Sequence, residues 1–467
     1  MRKFLYLFFT TLFIAACLLP GVGMLAFGPS PTAGNETAKA LPRLTKEDGS
    51  LNVELLSDAA TWFSQSFGFR RELITADSCL KARLLGTSSQ SLVALGRDDW
   101  LYYAETLDDF TGADTIAPRE AYCIARSLSI AQDYTESQGA DFLFTIAPNK
   151  ASIYPQHLPE NLQKSIAPKE YSAPVIEAME QQGVNYADLF APLKNQEEVL
   201  YFATDSHWTN RGAALARDVL LDALGLPEES AFSKPGDYRP THRGDLYDML
   251  YPASSSLDLE YSFARPLEFS YARPIRNVDD LRIETSSASN NGPLLMFRDS
   301  FGNALHSLMA ESFSSAVFSR AMPYNMELTG QSGAKYMIIE LVERNLPRLA
   351  EAPFLMPSPQ LEDWQAFWGE GFFTEDNRCQ EAANFSVEQV GMYQKVTSDL
   401  EAECDEDSPM YLARVAKDGS TRVWEAFPVY TGEGTACTGY LPDDGEEVSA
   451  VYMVFHEDGR WKWAGKN

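Results

Sequence analysis

The sequence predicts an α/β fold in which a parallel sheet flanked by helices forms the main domain. A small mainly-β C-terminal domain follows it, and an N-terminal transmembrane anchor precedes it. Helix-like and strand-like segments alternate between residues 92 and 342. Several of these strands are nearly continuous in apolar residues, which is typical of buried parallel strands. After about Pro357, short alternating strands separated by Gly- and Asp-rich turns replace that pattern.

The length and charge of the chain limit its organisation and its partners. The chain has 467 residues and a net charge of −28, so we expect two folded units behind a targeting segment. A surface this acidic disfavours nucleic acid as a partner. It also disfavours an anionic lipid surface, apart from the basic start Arg2-Lys3. We place the segments at residues 1–28 (anchor), 29–49 (linker), 50–356 (main domain) and 357–467 (C-terminal domain).

The N-terminus carries a targeting signal. Arg2-Lys3 precede an uncharged apolar run from Phe4 to Phe27, which as a helix would be about 36 Å long and long enough to cross a membrane. The basic residues favour an inside start, so the body would lie outside the cytoplasm. Two alternatives remain: a cleaved signal peptide, or a lipoprotein modified at Cys17, where Ile14 to Cys17 resemble a lipobox. All three give an extracytoplasmic body.

The cysteines of the body show no metal-binding or redox spacing. In an oxidising compartment, Cys79 and Cys123 could form one disulfide. Two of Cys379, Cys404 and Cys437 could form another.

The elements of the main domain follow in order along the chain. Apolar periodicity predicts a helical region from Leu51 to Leu85, then two short strands at 92–95 and 100–103. Pro118, a favourable first-turn residue, begins a helix to about Gln138 that ends at Gly139. The later elements are predicted at 141–147 (strand), 171–182 (helix), from 185 (strand), 209–223 (helix), 293–297 (strand), 301–313 (helix), 315–318 (strand) and 336–342 (strand).

Ser300 is the first candidate for chemistry. It follows a buried strand and stands at the start of a helix, where N–H groups and the helix dipole can stabilise an oxyanion. A serine at this position is also an ordinary helix N-cap.

Asp205 and His207 form the second candidate. A serine needs an imidazole to take its proton, and the imidazole needs a carboxylate to hold its tautomer. The two residues lie on an irregular segment before a helix that Thr209 is expected to cap, so both could reach one site. A hydrogen-bonded loop without catalytic function is the alternative interpretation.

The two motifs together resemble those of the bacterial DHHW and alginate O-acetyltransferase (AlgX/AlgJ-like) families, which have SGNH-hydrolase-like, flavodoxin-like domains. The resemblance covers about residues 50 to 350. Besides Asp205-Ser206-His207-Trp208 and Asp299-Ser300-Phe301, it includes the segments 96–103, 146–155, 244–250 and 343–345.

The resemblance implies that Ser300 is the nucleophile, His207 the general base and Asp205 the acid that orients it. It also implies acetyl transfer involving exported polysaccharides, with a multispanning membrane acyltransferase as the donor partner. Two departures from the family pattern stand out. Position 206 is Ser rather than His, and Arg298 stands where esterases of this type have Gly, so Arg298 could narrow the oxyanion region or bind an anionic substrate.

Four further residues are candidates for binding substrate: Asn149 and Lys150 at a strand end, Arg344 near the last strand, and Arg298. His242, Arg243 and Asp245 fit either a substrate-facing loop or, as we expect, a surface hydrogen-bond cluster. The sequence shows no phosphate-binding Gly loop and no metal-spaced cluster, so it implies neither a cofactor nor a metal.

The sequence therefore predicts a serine-dependent O-acetyltransferase or acetylesterase that acts on a cell-envelope or exported polysaccharide. The alternative is a non-catalytic glycan-binding or assembly scaffold of the envelope, which Arg298 favours.

Overall fold

A computed structural model describes residues 2–32, 39–46, 48–165, 170–226, 228–445 and 447–466. Within the predicted linker 29–49, residues 33–38 and 47 lie outside the described residues. The domain boundaries given above remain predictions.

The helices occupy most of the predicted helical segments. They are α1 (Arg2–Phe27), α2 (Leu55–Ser66), α3 (Arg70–Leu85), α4 (Thr106–Thr111), α5 (Pro118–Ser137), α6 (Lys150–Ile153), α7 (Glu160–Gln163), α8 (Ala173–Gln182), α9 (Phe190–Lys194), α10 (Asn210–Ala223), α11 (Asp245–Leu250), α12 (Gly302–Ser312), α13 (Leu328–Ser332), α14 (Pro347–Glu351) and α15 (Trp364–Trp368).

The strands include all those predicted for the main domain. They are β1 (Val93–Leu95), β2 (Leu101–Tyr103), β3 (Asp141–Ala147), β4 (Tyr186–Ala187), β5 (Gly236–His242), β6 (Asp258–Phe263), β7 (Phe269–Tyr271), β8 (Arg282–Ser287), β9 (Leu294–Phe297), β10 (Ser315–Ser319), β11 (Tyr336–Val342), β12 (Asn384–Val390), β13 (Tyr393–Leu400), β14 (Met410–Ala416), β15 (Thr421–Val429), β16 (Thr435–Pro442), β17 (Val448–Glu457) and β18 (Arg460–Gly465).

The main sheet confirms the predicted α/β class and adds two features. Its strand order in the described residues is β4-β3-β11-β9-β10-β8-β7. The first five strands are parallel, but β8 and β7 pair antiparallel, so the sheet is mixed rather than all parallel. Counted along the chain, the parallel strands have the order 2-1-5-3-4, because the last one, β11, lies between β3 and β9. In the flavodoxin-like order, 2-1-3-4-5, the last parallel strand instead lies at the edge.

The apolar strands of this sheet form the core. Side chains of β3, β9 and β11 are almost completely buried, which explains their continuous apolar sequences. Helix α5 packs against β3, α8 and α14, and α10 packs against α12, which contacts β8 and β10. Gly139, just beyond α5, has φ +80, a conformation that glycine adopts at little cost. The sheet therefore holds the loops at its carboxyl edge on a rigid support.

The C-terminal part is mainly β, as predicted. Its described strands form a sheet in the order β12-β13-β16-β15-β14-β17-β18, in which all the pairs are antiparallel. This sheet packs against α5 through β15, and Arg126 Nε donates to Glu425 Oε1 over 2.7 Å. Phe427 and Tyr440 also belong to the core of the main sheet.

The N-terminal region differs from the prediction in one respect. The helical region predicted from Leu51 to Leu85 is two helices, because the chain turns at Phe69, where φ is +62. Ahead of them, the segment Lys3–Phe27 is long and apolar enough to cross a membrane by length and composition. All the cysteines are free thiols, so the two suggested disulfides are not formed.

Candidate active site

The candidate site lies where three neighbouring strands of the main sheet end. The chain leaves β9 toward Ser300, β3 toward Asn149 and Lys150, and β11 toward Arg344. Since β3, β11 and β9 are adjacent and parallel, their carboxyl ends meet at one edge. This edge is the usual place for ligand-facing loops in α/β proteins.

Ser300 stands on a tight turn between β9 and α12, and Asp299 holds that turn. Oδ1 of Asp299 accepts the N–H of Phe301 over 2.9 Å. Its Oδ2 accepts the N–H of Val342 over 2.8 Å and Nδ2 of Asn345 over 3.0 Å. The Asp299 carboxylate therefore joins the serine turn to the end of β11.

The hydroxyl of Ser300 does not cap α12. The N-cap position is Phe301, and no side chain caps it. Ser300 Oγ instead lies 2.9 Å from Nε2 of His207. The N-cap interpretation is therefore wrong, and the hydroxyl is directed toward a base.

His207 connects Ser300 to Asp205. Its Nδ1 lies 2.7 Å from Oδ1 of Asp205, which also accepts the backbone N–H of His207 over 2.9 Å. Asp205 is 3% exposed, so water competes little for these bonds. The structure thus places Ser, His and Asp side chains in one hydrogen-bonded line, with both ring nitrogens of His207 in use.

Two interactions hold the loop that carries His207 in place. Trp208 is buried, and its Nε1 donates to the carbonyl of Phe301 over 3.0 Å, which links the histidine loop to the serine turn. Thr209 caps α10, as predicted, by accepting the N–H of Gly212. The distance between Ser300 and His207 is therefore set by backbone and aromatic contacts on both sides.

A second histidine and a second carboxylate complete the network; the sequence interpretation had named both residues, but as a substrate-facing loop or a surface cluster and not as part of this network. His242 Nε2 lies 2.8 Å from Asp205 Oδ2, which also accepts the N–H of Asp245 over 2.9 Å. Asp245 Oδ2 accepts the hydroxyl of Ser206 over 2.6 Å and lies 3.7 Å from His207 Nδ1. The expected surface cluster is wrong for these two residues, whereas Arg243 contacts Asp248 and nearby carbonyls.

The network shifts the pKa values of its members in opposite directions. Burial alone would raise the pKa of Asp205, but hydrogen bonds from His207 and His242 hold it well below its usual range. Burial alone would lower the pKa of His207, but the bond to Asp205 and the charges of Asp205 and Asp245 raise it. Asp205 is therefore an anion, and His207 is a stronger base than an ordinary histidine.

An open cleft of about 850 Å³ adjoins this network. Residues from several loops line it, including Tyr103, Asp109, Tyr171, Ser206, His207, Asp245, Asp279, Ser300, Asn303, Arg320, Arg344, Asn345 and Arg348. Burial, followed by the charge of Glu343, raises the pKa of Asp109 to about 7. The cleft therefore combines carboxyl groups with arginines around the Ser300 hydroxyl.

Of the four predicted substrate-binding residues, Arg344 lines this cleft. Asn149 and Lys150 are buried beneath it. Lys150 Nζ donates to the carbonyls of Phe202, Ala203 and Asp205 over 3.1, 3.1 and 2.6 Å, so it supports the loop that carries the network. Burial, partly offset by the charge of Asp205, lowers the pKa of Lys150 to about 7.

Arg298 also needs correction as a substrate-binding residue. It is 1% exposed, and its guanidinium donates to the Val278 carbonyl and to Asn303 Oδ1, each over 2.6 Å. Burial, followed by the charge of Arg320, lowers its pKa to about 10. Since the side chain points into the protein, it neither narrows the cleft nor contacts a ligand there.

The ligand atoms of Asp205, His207 and Asp245 lie within 4.8 Å of one another, close enough to be considered for a metal ion. An ion bound there would replace the proton that His207 Nδ1 shares with Asp205. Metal binding and a general-base function of His207 would therefore exclude each other.

Known proteins resemble this chain over part of its length. Residues 93–270 match the family model described as "SGNH hydrolase-like domain, acetyltransferase AlgX". The "Probable alginate O-acetylase AlgJ" of Pseudomonas syringae pv. tomato is 28% identical over 212 residues, which are 43% of this chain and 51% of the relative. The AlgJ of Pseudomonas putida is 24% identical over 49% of this chain and 58% of its own length. The chain thus spans about half the length of the curated relatives it matches.

Solved structures also resemble part of the chain. A DHHW family protein from Eubacterium siraeum is 18% identical and covers 48% of this chain and 85% of its own, with a TM-score of 0.39. The resemblance predicted from the sequence motifs, to AlgX and AlgJ proteins with an SGNH-hydrolase-like domain, is confirmed.

Proposed function

We propose that this protein is a serine-dependent O-acetyltransferase, anchored in the cell envelope, that acts on polysaccharide outside the cytoplasm. The observation that carries the proposal is the line Ser300 Oγ, His207, Asp205, with distances of 2.9 and 2.7 Å beside an open cleft. Hydrogen-bond distances between nucleophile, base and acid are what acyl transfer through a serine requires.

The proposed reaction has two stages. Ser300 Oγ attacks the acetyl carbonyl carbon while His207 Nε2 takes the hydroxyl proton, and Asp205 stabilises the resulting imidazolium. The imidazolium then protonates the departing oxygen of the donor, leaving an acetyl-serine ester. In the second stage a sugar hydroxyl attacks that ester, His207 takes its proton and returns it to Ser300 Oγ, and the acetylated sugar leaves.

The start of α12 supplies positive potential to this reaction. The helix begins at Gly302, two residues after Ser300, so we expect N–H groups of its first turn near the atom where negative charge develops. Such groups stabilise an oxyanion without having to reorient during the reaction.

The class of acceptor substrate is inferred from the relatives. The curated relatives carry the name "Probable alginate O-acetylase AlgJ", which supports polysaccharide as the acceptor. We propose a multispanning membrane acyltransferase as the donor partner and the Lys3–Phe27 helix as the anchor that keeps the two together. Hydrolysis would compete with transfer to the degree that water reaches the acetyl-serine.

An acetyl-transfer assay tests the proposal. The full chain would be incubated with an activated acetyl ester and oligosaccharide acceptors, and both acetylated sugar and free acetate would be measured. Ser300→Ala should abolish both products. Ser270→Ala is the matched control, because Ser270 is an exposed serine on β7 that is not among the residues lining the cleft. Equal turnover by wild type and Ser300→Ala would refute the proposed enzymatic activity and leave the scaffold alternative. Because Arg298 is buried, it no longer favours that alternative.

A further inference from the structure

The turn between α2 and α3, residues 67–69, packs against the end of α1. The N–H of Gly68 donates to the carbonyl of Pro20 over 3.2 Å, and that of Ser30 to Ser66 over 2.8 Å. The rings of Phe27 and Phe69 lie 5.5 Å apart. A Cβ on Gly68 would lie 2.4 Å from the backbone nitrogen of Met24, so the approach requires glycine. The turn is therefore held at a defined height along α1.

That height corresponds to the outer boundary of a bilayer. The apolar segment Lys3–Phe27 has 25 residues, or about 37 Å as a helix, whereas the hydrocarbon layer is about 30 Å thick. About 20 residues from Phe4 onward fill that layer, which brings the boundary close to Gly23. The 67–69 turn contacts α1 from Pro20 to Phe27 and so lies at this boundary.

Helices α2 and α3, which leave the turn, each expose an apolar stripe at helical spacing. On α2 it consists of Leu56, Ala60 and Phe63, and on α3 of Leu73, Leu80 and Leu84. Leu56 is 85% exposed and Leu84 is 72% exposed. Stripes with this spacing normally face a core or an interface.

The charge of this region differs from that of the rest of the chain. Beyond α1, residues 28–92 contain seven basic and seven acidic residues, whereas residues 93–467 contain 29 basic and 59 acidic ones. On α3 the stripe is flanked by Arg83 and by Lys81, whose Nζ pairs with the Asp77 carboxylate over 2.8 Å. The net charge of the whole chain, which argued against an anionic lipid surface, therefore does not apply to its N-terminal region.

From the contacts with α1, the exposed stripes and the charge asymmetry, we propose that α2 and α3 lie on the outer surface of the lipid bilayer as a second membrane contact. The proposal rests on the membrane anchorage proposed for α1. The apolar stripes enter the boundary between headgroups and acyl chains, and the flanking basic side chains contact lipid phosphates.

This contact orients the candidate active site relative to the membrane. Helix α3 packs against α11, and the N–H of Ala253 donates to Thr75 Oγ1 over 3.0 Å. Helix α11 begins with Asp245, which contacts Ser206 and His207. Helix α11 thus connects the membrane-facing helix α3 to the network around Ser300.

Photolabelling in lipid nanodiscs tests the proposal. The full chain would be reconstituted in phosphatidylcholine–phosphatidylglycerol nanodiscs that contain a lipid with a diazirine in its acyl chain, and labelled peptides would be mapped by mass spectrometry. We expect labels on α2 and α3 as well as on α1. Leu80→Glu with Leu84→Glu should lower labelling of α3 by about tenfold, because charged side chains at these positions oppose insertion.

The matched control is Leu259→Glu with Leu281→Glu, two exposed leucines distant in sequence from α3, which should leave labelling of α3 unchanged. Labels confined to α1 would overturn the proposal, and a membrane protein would then be the better candidate for covering the stripes. Equal loss in both double variants would also overturn it. Acetyl transfer would be measured in parallel, so that a failure of the proposed chemistry can be distinguished from a failure of membrane contact.

Discussion

Removing the hydrogen bond between His242 and Asp205 should raise the pKa of His207. In His242→Phe, the ring can still stack on Phe202, from which the histidine ring lies 3.8 Å away, but the bond to Asp205 Oδ2 is lost. The negative charge of Asp205 is then shared among fewer donors and acts more strongly on His207. Since His207 must be neutral to act as a base, activity falls as the pH drops through its pKa.

The magnitude follows from the bond that is lost. A hydrogen bond to a charged group contributes about 1.5–3 kcal/mol, and one pKa unit corresponds to about 1.36 kcal/mol. Asp205 keeps its bonds from the N–H of Asp245 and from His207, so about half of the effect should reach His207. We expect the acid limb of the pH–rate profile to move up by about one unit.

The assay is kcat/KM for acetyl-ester turnover as a function of pH. His157→Phe is the matched control, because His157 also stacks on an aromatic ring, that of Trp100, and contacts an aspartate, Asp98, away from the candidate site. The control should keep the wild-type profile. An unchanged acid limb in His242→Phe, or one that moves to lower pH, would refute the proposed coupling through Asp205.

Three further substitutions test the support of the network. Asp205→Asn should lower kcat about 10⁴-fold by favouring the wrong His207 tautomer, and a loss below tenfold would contradict the role of Asp205. Lys150→Met should destabilise the protein by about 2 kcal/mol and lower kcat more than it changes KM, because three loop carbonyls lose their donor; unchanged melting and kcat would contradict this. Gly302→Ala should cost about 1–3 kcal/mol in thermal unfolding, because its Cβ would lie 2.6 Å from Arg298 Cδ and 3.0 Å from Glu340 Oε2; wild-type stability would contradict it.

The strands that carry the core were predictable from their sequences, whereas their order was not. Residues 141–147 and 336–342 were predicted with the bounds that the structure gives, because continuous apolar sequence is what burial on both faces requires. The strands β7 and β8, at the antiparallel end of the sheet, are short and partly polar, so no period marks them. The position of β11 between β3 and β9 depends on long-range pairing that a local pattern does not encode.

The residues of the candidate site were likewise only partly predictable from the sequence. Ser300, Asp205 and His207 were found because each lies beside a strand end or a helix start. His242 lies 37 residues from its partner Asp205, and nothing local links the two. The available signal was that His242 is one of only five histidines in the sequence and lies close to Gly244-Asp245. Arg298 was misinterpreted because its neighbour Ser300 faces the cleft while its own side chain enters the core.

The most direct test of the proposed acyl transfer is covalent labelling of Ser300. The protein would be treated with a fluorophosphonate at a pH where His207 is neutral, and the modified residue would be identified by peptide mapping. We predict a single adduct on Ser300 that is lost in His207→Ala and kept in Ser270→Ala. Labelling elsewhere, or none while the protein is folded, would contradict the assignment of Ser300 as the activated nucleophile.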